Sequence, residues 1–255
     1  MNMGRRAFQL LLLSVAASLT TCREASAQEG EVTYLMFSQQ WSAGSCQGEF
    51  YNDRCIRQHE RNFWTIHGMW PSNNHGSPEF CNHTLPYNET ALQPIYSELE
   101  RYWPSYTSKD SNWFWKHEWL KHGTCATGIP ALSGISQYFN TTLNFYFRHN
   151  ITRYLEDSDI YPTVDRTYAV EDIEQALTDD LRGAVNFVCN EGREYSEPLL
   201  AEIRLCLDTE LQPTDCQEEH SRCGRHVYYL PFDVEHKEDI WDVHLYFEHK
   251  HYVLE

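Results

Sequence analysis

Hydrophobic and polar residues alternate over short segments near both ends of the chain, whereas the middle of the chain has helical spacings. Alternation and short apolar runs predict strands, and recurrence every three and four residues predicts amphipathic helices. The predicted strands are 31–41, 63–67, 201–208, 226–232 and 240–247, and the predicted helices are 91–103, 112–122, 135–155 (as one or two helices) and 170–185. This order indicates an α+β fold, with an antiparallel β-sheet packed against several helices.

Glycine and proline residues mark the predicted ends of several elements. Gly68 and Pro71 close the strand over 63–67, and Pro104 ends the first helix. Gly123 follows the second helix at a position where a left-handed residue is favoured, so it is predicted to stop that helix. No repeat or Pro/Gly/Ser-rich linker divides the chain, which favours a single domain.

The first residues have the composition of a secretory signal peptide. Two arginines precede an apolar run over 7–19, and a small-residue cleavage sequence follows at 25–27. We therefore expect residues 1–27 to be removed and residues 28–255 to form the mature domain. The apolar run is shorter than the ~20 residues that cross a bilayer, and no later segment replaces it, so no membrane span is predicted. A lipoprotein signal at Cys22 is a weaker alternative, because threonines precede it.

The mature chain keeps an even number of cysteines, which in an exported protein indicates disulfides. They are Cys46, Cys55, Cys81, Cys125, Cys189, Cys206, Cys216 and Cys223. Their spacing leaves the pairing open, and the lack of a C-x-x-C pair argues against a structural zinc site. Four N-x-S/T sequons predict N-linked glycans at some of the acceptors Asn82, Asn88, Asn140 and Asn150.

The charge of the chain disfavours broad binding to a phosphate backbone, which depends on basic patches. The formal net charge is −17, and removal of the leader, with three arginines and one glutamate, takes it to −19. Protonation of all 13 histidines would bring this value to −6. An acidic working compartment would therefore weaken the repulsion of a polyanion, because free histidine titrates near a pKa of about 6.5.

Two segments place histidine among tryptophans. They are 63–71, with the sequence FWTIHGMWP, and 114–125, with the sequence FWKHEWLKHGTC. On a helix that advances about 100° per residue, His117, Lys121, Glu118 and His122 lie on one side. Two imidazoles, a carboxylate and an ammonium on one side of a helix are groups suited to acid–base chemistry.

A zinc hydrolase is one alternative, because His117-Glu118 followed by His122 is similar to the H-E-x-x-H motif of zinc proteases. That motif needs histidines at i and i+4, about 40° apart, so that both reach one ion. His117 and His122 lie at i and i+5, about 140° apart, and we expect them to be splayed too widely to share a metal. We therefore predict neither a metal nor a cofactor.

The segments 64–71 and 114–125 closely resemble the two active-site segments of the ribonuclease T2 family. The resemblance also covers 39–41, 101–104 and the later cysteine pattern, and so nearly the whole mature chain. It implies cleavage of single-stranded RNA by attack of the ribose 2′-hydroxyl on its own phosphate, which yields a 2′,3′-cyclic phosphate and a free 5′-hydroxyl. It also implies the disulfides Cys46–Cys55, Cys81–Cys125, Cys189–Cys223 and Cys206–Cys216.

The same resemblance suggests roles for the polar residues. His67 and His122 would transfer the protons, and the family favours His122 as the base and His67 as the acid, although the sequence leaves this order open. Lys121 would face the charge on the phosphate, Glu118 would hold the neighbouring cations and support the same transition state, and His117 would bind the phosphate. A simple exposed ion pair is the competing interpretation of Glu118 and Lys121.

Three further residues are candidates for binding bases. Trp70 and Phe114 could stack on bases, which requires no net positive charge, and core packing is the competing interpretation. Gln40 could touch a base edge. Ser72 departs from the family, which often has an acidic residue after the Trp-Pro of the first segment, so a purine preference based on that carboxylate is not expected here.

These observations predict a secreted or lysosome-like endoribonuclease that acts as a monomer on single-stranded RNA. The alternative is a secreted effector or storage glycoprotein of the same fold that acts by binding. Retention of His67, Glu118, Lys121 and His122 argues against an inactive relative. The terminus 252–255 is not a retention tetrapeptide, so delivery outside the cell and delivery to an acidic compartment both stay open.

Overall fold

A computed structural model of the protein describes residues 31–47, 55–181, 185–192, 194–216 and 223–232. The predicted leader and the predicted strand over 240–247 lie outside these ranges. The strands are β1 (Tyr34–Gln40), β2 (Thr65–Ser72), β3 (Tyr168–Ala169), β4 (Val185–Asn190), β5 (Leu199–Leu207) and β6 (His226–Val227). The helices are α1 (Ser42–Cys46), α2 (Tyr96–Tyr102), α3 (Ser111–Lys121), α4 (Ile135–Arg148), α5 (Ile151–Asp157) and α6 (Val170–Leu181).

The main sheet is antiparallel, with strand order β2-β1-β5-β4, and β3 pairs with β6 in a separate two-stranded sheet. All seven residues of β1 are buried, because helices cover one face of this central strand and a smaller cluster covers the other. Leu35 and Phe37 point into the main core, whereas Met36 packs against Trp70 and Cys206 on the opposite face. The α+β class with an antiparallel sheet is therefore confirmed.

The segment predicted over 135–155 forms two helices. Polar Asn150 separates them and caps α5, since its side chain accepts a hydrogen bond from the backbone N–H of Arg153 at 3.2 Å. The amphipathic helix α4 buries one face, where the ring of Phe145 meets that of Phe37 on β1 at a centroid distance of 5.0 Å. This contact joins the helical layer to the centre of the sheet.

One predicted strand end is wrong, and so is the predicted conformation of Gly123, although helix α3 does end before Gly123 as predicted. Strand β2 does not close at Gly68 or Pro71 but runs through both. Pro71 is tolerated because β2 is the edge strand of the main sheet, where a missing N–H breaks no ladder. Gly123 does not adopt a left-handed conformation; it begins the 3₁₀ turn Gly123–Cys125. Glycine is needed there because a Cβ atom would lie 2.4 Å from the ring of Trp119.

The four disulfides implied by the family resemblance are all confirmed. They join Cys46 to Cys55, Cys81 to Cys125, Cys189 to Cys223 and Cys206 to Cys216. The second ties the chain after β2 to the 3₁₀ turn that follows α3. Within the described ranges, no helix has both the length and the apolar character needed to cross a membrane.

Candidate active site

A β-bulge in β2 sets the position of His67. Ser38 of β1 pairs with Gly68, and the next residue, Gln39, pairs with Ile66, so His67 is the extra residue of β2. A bulge locally re-aims the side chain of a strand. The imidazole of His67 is turned toward β5, where its Nδ1 lies 2.8 Å from Oε1 of Glu202.

Helix α3 presents the second segment to the same region. Its N-terminus is capped by Asp110, whose side chain accepts a hydrogen bond from the backbone N–H of Asn112 at 2.9 Å. Trp115 and Trp119 are buried and anchor the helix in the main core. Glu118 is also buried, on the side of α3 that faces β2.

The indole of Trp70 joins the two segments. Its Nε1 donates a hydrogen bond of 2.9 Å to Oε2 of Glu118, and its ring lies 4.9 Å from the ring of His67 and 5.6 Å from that of His122. Gly68 makes this approach possible, because a Cβ there would lie 2.1 Å from Nε1 of Trp70 and 2.4 Å from Oε2 of Glu118. The two histidines of the separate segments therefore contact the same indole.

The expectation that His117 and His122 are splayed apart is wrong. Helix α3 ends at Lys121, and His122 is its C-cap residue, so the angular advance of a regular helix does not apply to it. The two ring centroids lie 6.4 Å apart. Within the described part of the chain, ligand atoms of His117, Glu118 and His122 lie within 4.8 Å of one another. This set has the spacing to hold a metal ion, so the angle of the two histidines is no argument against one.

The two histidines on either side of Trp70 have opposite pKa shifts. Burial tends to lower the pKa of His67, but the charge and hydrogen bond of Glu202 outweigh this effect and raise its pKa above the ordinary 6.5. Burial lowers the pKa of His122 to about 3, and the neighbouring cations Lys121, His117 and His67 act in the same direction. One ring therefore favours the charged form and the other favours the neutral form.

Glu118 and Lys121 also have perturbed surroundings. Burial raises the pKa of Glu118 to about 7, against the lowering effects of His67, Trp70 and Lys121. Nζ of Lys121 lies 3.0 Å from Oε1 of Glu79, a residue of the loop after β2. The interpretation of Glu118 and Lys121 as a simple exposed ion pair is wrong. Glu118 is buried and accepts a hydrogen bond from Trp70, and the carboxylate that pairs with Lys121 is that of Glu79.

The candidate base-binding residues differ in their surroundings. The ring of Phe114 is half-buried and lies 5.9 Å from that of His67. Trp70 is only 9% exposed, and its ring lies between those of His67 and His122, so little of its surface is open to a base. Gln40 is buried at the end of β1 and donates to the carbonyl of Ile66 at 3.4 Å.

Two further positions bear on the sequence-based roles. Ser72 is buried, and its hydroxyl lies 2.7 Å from that of Ser77. Because the residue is a serine, this position supplies no carboxylate. His117 is half-buried, and its ring stacks on that of Trp113 at 5.9 Å and 17°. Burial, Lys121 and His67 lower the pKa of His117.

Sequence reasoning missed two carboxylates of this site, Glu202 and Glu79. Glu202 lies on β5, 135 positions after His67, and belongs to neither histidine segment. Its only sequence signal is an acidic residue inside an apolar strand, where an unpaired charge would be costly. Glu79 carried no sequence signal, because exposed acidic residues are common in loops.

Comparisons with known proteins converge on one family. The sequence model of the Ribonuclease T2 family matches residues 32–216. Ribonuclease DdI of Dictyostelium discoideum is 36% identical over 82% of this chain and 88% of its own length. Ribonuclease Oy of Magallana gigas is 35% identical over 72% of this chain and 87% of its own length.

Solved structures give the same result. RNase NT in complex with 5′-AMP superposes with a TM-score of 0.71 at 28% identity and covers 79% of this chain and 100% of its own. Human RNase T2 superposes with a TM-score of 0.66 at 29% identity and covers 78% of this chain and 98% of its own.

Proposed function

The chain belongs to the ribonuclease T2 family and is an endoribonuclease, and we propose that it cleaves single-stranded RNA by metal-independent transphosphorylation. In this reaction the ribose 2′-hydroxyl attacks the adjacent phosphorus, the bond to the 5′ oxygen of the next nucleotide breaks, and a 2′,3′-cyclic phosphate forms. The substrate supplies the nucleophile. The protein must therefore supply a base for the 2′ proton, an acid for the leaving oxygen and positive charge for the phosphate.

The opposite pKa shifts of the two histidines beside Trp70 carry this proposal. His122 has a pKa of about 3 and is neutral at acidic to neutral pH, so it serves as the base that takes the 2′ proton. His67 has a pKa above 6.5 and is protonated over most of the same range, so it serves as the acid. An acid and a base of different pKa at one site is the arrangement that a single proton-transfer cycle needs.

Three residues of α3 stabilise the phosphate. Lys121 exchanges its contact with Glu79 for a phosphoryl oxygen when the substrate binds, and His117, whose pKa is lowered by the nearby charge of Lys121, adds a hydrogen-bond donor. Oε2 of Glu118 accepts from Trp70, so a proton taken up near its pKa of about 7 lies on Oε1, from which it can be donated to the phosphate. Hydrogen-bond donors directed at the charge of the transition state stabilise it more strongly here than in water, because the site is partly dehydrated.

Base contacts come from the residues around His67. The half-buried ring of Phe114 stacks on one base, a contact that suits a protein of net charge −17. Gln40 lies on the sheet face that carries Glu202, since the two are paired across β1 and β5, and its amide is proposed to reach a base edge. Base preference does not depend on a carboxylate after Pro71, because Ser72 stands there.

No step of this reaction requires a metal, since His67, His122 and Lys121 supply the proton transfers and the charge. We further propose that the leader over 1–27 directs the chain out of the cell or to a lysosome-like acidic compartment, where protonated histidines reduce its repulsion of RNA. The mature protein acts as a monomer and carries N-linked glycans at some of Asn82, Asn88, Asn140 and Asn150.

Product analysis of RNA digested in EDTA across pH 4 to 8 tests the proposal. We expect terminal 2′,3′-cyclic phosphates at every pH and unchanged rates with the chelator. His67→Ala and His122→Ala should each lose about 10²- to 10⁴-fold in kcat, the typical worth of one proton transfer. The exposed histidine control His75→Ala should retain activity. Loss of activity in EDTA, restored by a divalent ion, would instead favour a metal at His117, Glu118 and His122.

A further inference from the structure

The carboxylate of Glu202 is the closest polar partner of His67 and lies outside both histidine segments. Its Oε1 is 2.8 Å from Nδ1 of His67, and its side chain is 12% exposed. The imidazole is more open, at 30% exposed. One side of the imidazole is therefore held by a carboxylate that is largely shielded from solvent.

Glu202 is itself fixed on its other oxygen. Oε2 accepts hydrogen bonds from Nε and Nη2 of Arg204 at 2.9 and 2.7 Å and from the hydroxyl of Ser38 at 3.0 Å. Ser38 pairs with Arg204 across β1 and β5, and Gln40 pairs with Glu202, so these side chains share one face of adjacent strands. The guanidinium of Arg204 also lies 5.0 Å from the centre of the Trp70 ring. Three donors on Oε2 leave Oε1 aimed at the histidine.

The backbone gives His67 an unusual need for such a partner. It is the extra residue of the bulge and has no paired residue on β1, so the pleat of the sheet does not set its direction. Its carbonyl accepts a hydrogen bond of 2.9 Å from Nε1 of Trp103, which anchors the main chain but not the ring. The contact with Glu202 supplies the orientation that the regular strand would have supplied.

We propose that Glu202 is a positioning residue of the reaction, which accepts the Nδ1 hydrogen of His67 and so directs Nε2 with its proton toward the leaving 5′ oxygen. This inference rests on the proposed function, in which His67 is the acid. An ionised carboxylate can only accept, so the bond to Oε1 requires the hydrogen on Nδ1. The same carboxylate stabilises the imidazolium without touching the substrate, because a charge-assisted hydrogen bond is stronger than a neutral one.

The charges that face His67 come from two elements. Glu202 and Arg204 lie on β5, Glu118 and His117 lie on α3, and His122 is the C-cap residue of α3. Burial tends to raise the pKa of Glu202, but His67 and Arg204 outweigh it and lower that pKa to about 2. Glu202 therefore stays ionised over the whole working range, and its attraction raises the pKa of His67 despite the opposing charge of Arg204.

The variant Glu202→Gln tests this inference. The control is Glu197→Gln, which removes one negative charge from an exposed glutamate of the same chain. We expect Glu202→Gln to lower kcat by about 10- to 150-fold, the range for a hydrogen bond to a charged group, with little change in KM. The alkaline limb of kcat/KM should also move to lower pH, a shift that a general loss of stability would not produce. A folded Glu202→Gln with the kcat and alkaline limb of Glu197→Gln would overturn the inference.

A measurement on the unmodified protein covers the case in which Glu202→Gln does not fold. Nitrogen-15 NMR of His67 should show the neutral ring with its hydrogen on Nδ1 and a pKa above 6.5. A neutral ring with its hydrogen on Nε2 would refute the positioning role. His67→Ala separates the two proposals: an active His67→Ala contradicts the proposed function, whereas an inactive one beside a fully active Glu202→Gln contradicts only the role of Glu202.

Discussion

Replacement of Gly68 by alanine should damage the site through a single methyl group. The added Cβ would lie 2.1 Å from Nε1 of Trp70 and 2.4 Å from Oε2 of Glu118. Both distances are below any normal contact, and the two atoms are joined by a hydrogen bond of 2.9 Å. The indole, the carboxylate or the strand must therefore move, and the hydrogen bond must lengthen or break.

The magnitude follows from that hydrogen bond. At acidic pH Glu118 is protonated, and a hydrogen bond between neutral groups is worth ~0.5–1.5 kcal/mol, so its loss in the transition state lowers kcat by about 2- to 13-fold. An extra methyl group in a packed region costs a further ~1–3 kcal/mol of folding free energy. The melting temperature should then fall by several degrees, at about 2–4 °C per kcal/mol for a chain of this size.

The assay for Gly68→Ala is single-turnover cleavage of a dinucleotide together with thermal unfolding. Gly128→Ala is the matched control, because a Cβ at Gly128 would meet no atom within 4 Å. If Gly68→Ala stays within twofold of Gly128→Ala in kcat and unfolds at the same temperature, then the hydrogen bond between Trp70 and Glu118 does not support the reaction.

Three further predictions concern pH, charge and stacking. The value of kcat/KM should fall as the pH drops toward about 3, where His122 becomes protonated. It should also fall at alkaline pH, above 6.5, where His67 loses its proton. A kcat/KM that only rises or only falls across this pH range would contradict the prediction. Glu79→Gln should tighten inhibition by inorganic phosphate by up to about fivefold, because it frees Lys121 from an exposed pair worth ~1 kcal/mol. Phe114→Ala should raise KM for a dinucleotide by about fivefold or more, since stacking is worth ~1–3 kcal/mol per base.

Matched controls exist for the last two variants. Asp157→Asn removes a carboxylate from an exposed pair with Arg153 on α5 and should leave phosphate inhibition unchanged. Phe147→Ala removes a ring that is half exposed and packs against Tyr102, and it should leave KM unchanged. A Glu79→Gln or Phe114→Ala variant that behaves like its control would contradict the role given to that residue.

The elements with strong periodicity were predictable, and their ends were not. The spacing of apolar residues gave the α4 and α5 region, α6 and most of β1 and β5, because burial of one face decides those elements. The end of β2 was missed because Pro71 is excluded from a central strand but allowed at an edge, and only the strand order identifies β2 as the edge.

The sequence by itself determined which chemical groups are present. The histidine and tryptophan segments, the even number of cysteines and the family resemblance were enough to indicate a ribonuclease with His67, His122, Glu118 and Lys121 at its site. Such local patterns can be recognised in the sequence because a single helix or strand sets the relative positions of residues that are close along the chain.

Only the tertiary structure decided how those groups are held and charged. The bulge at His67 depends on the register between β1 and β2, and its contact with Glu202 depends on β5, far along the chain. The exit of His122 from α3 brought it close to His117, against the angle of a regular helix. The protonation of His67 and His122 follows from burial and from contacts such as that of His67 with Glu202, and both are properties of the folded chain.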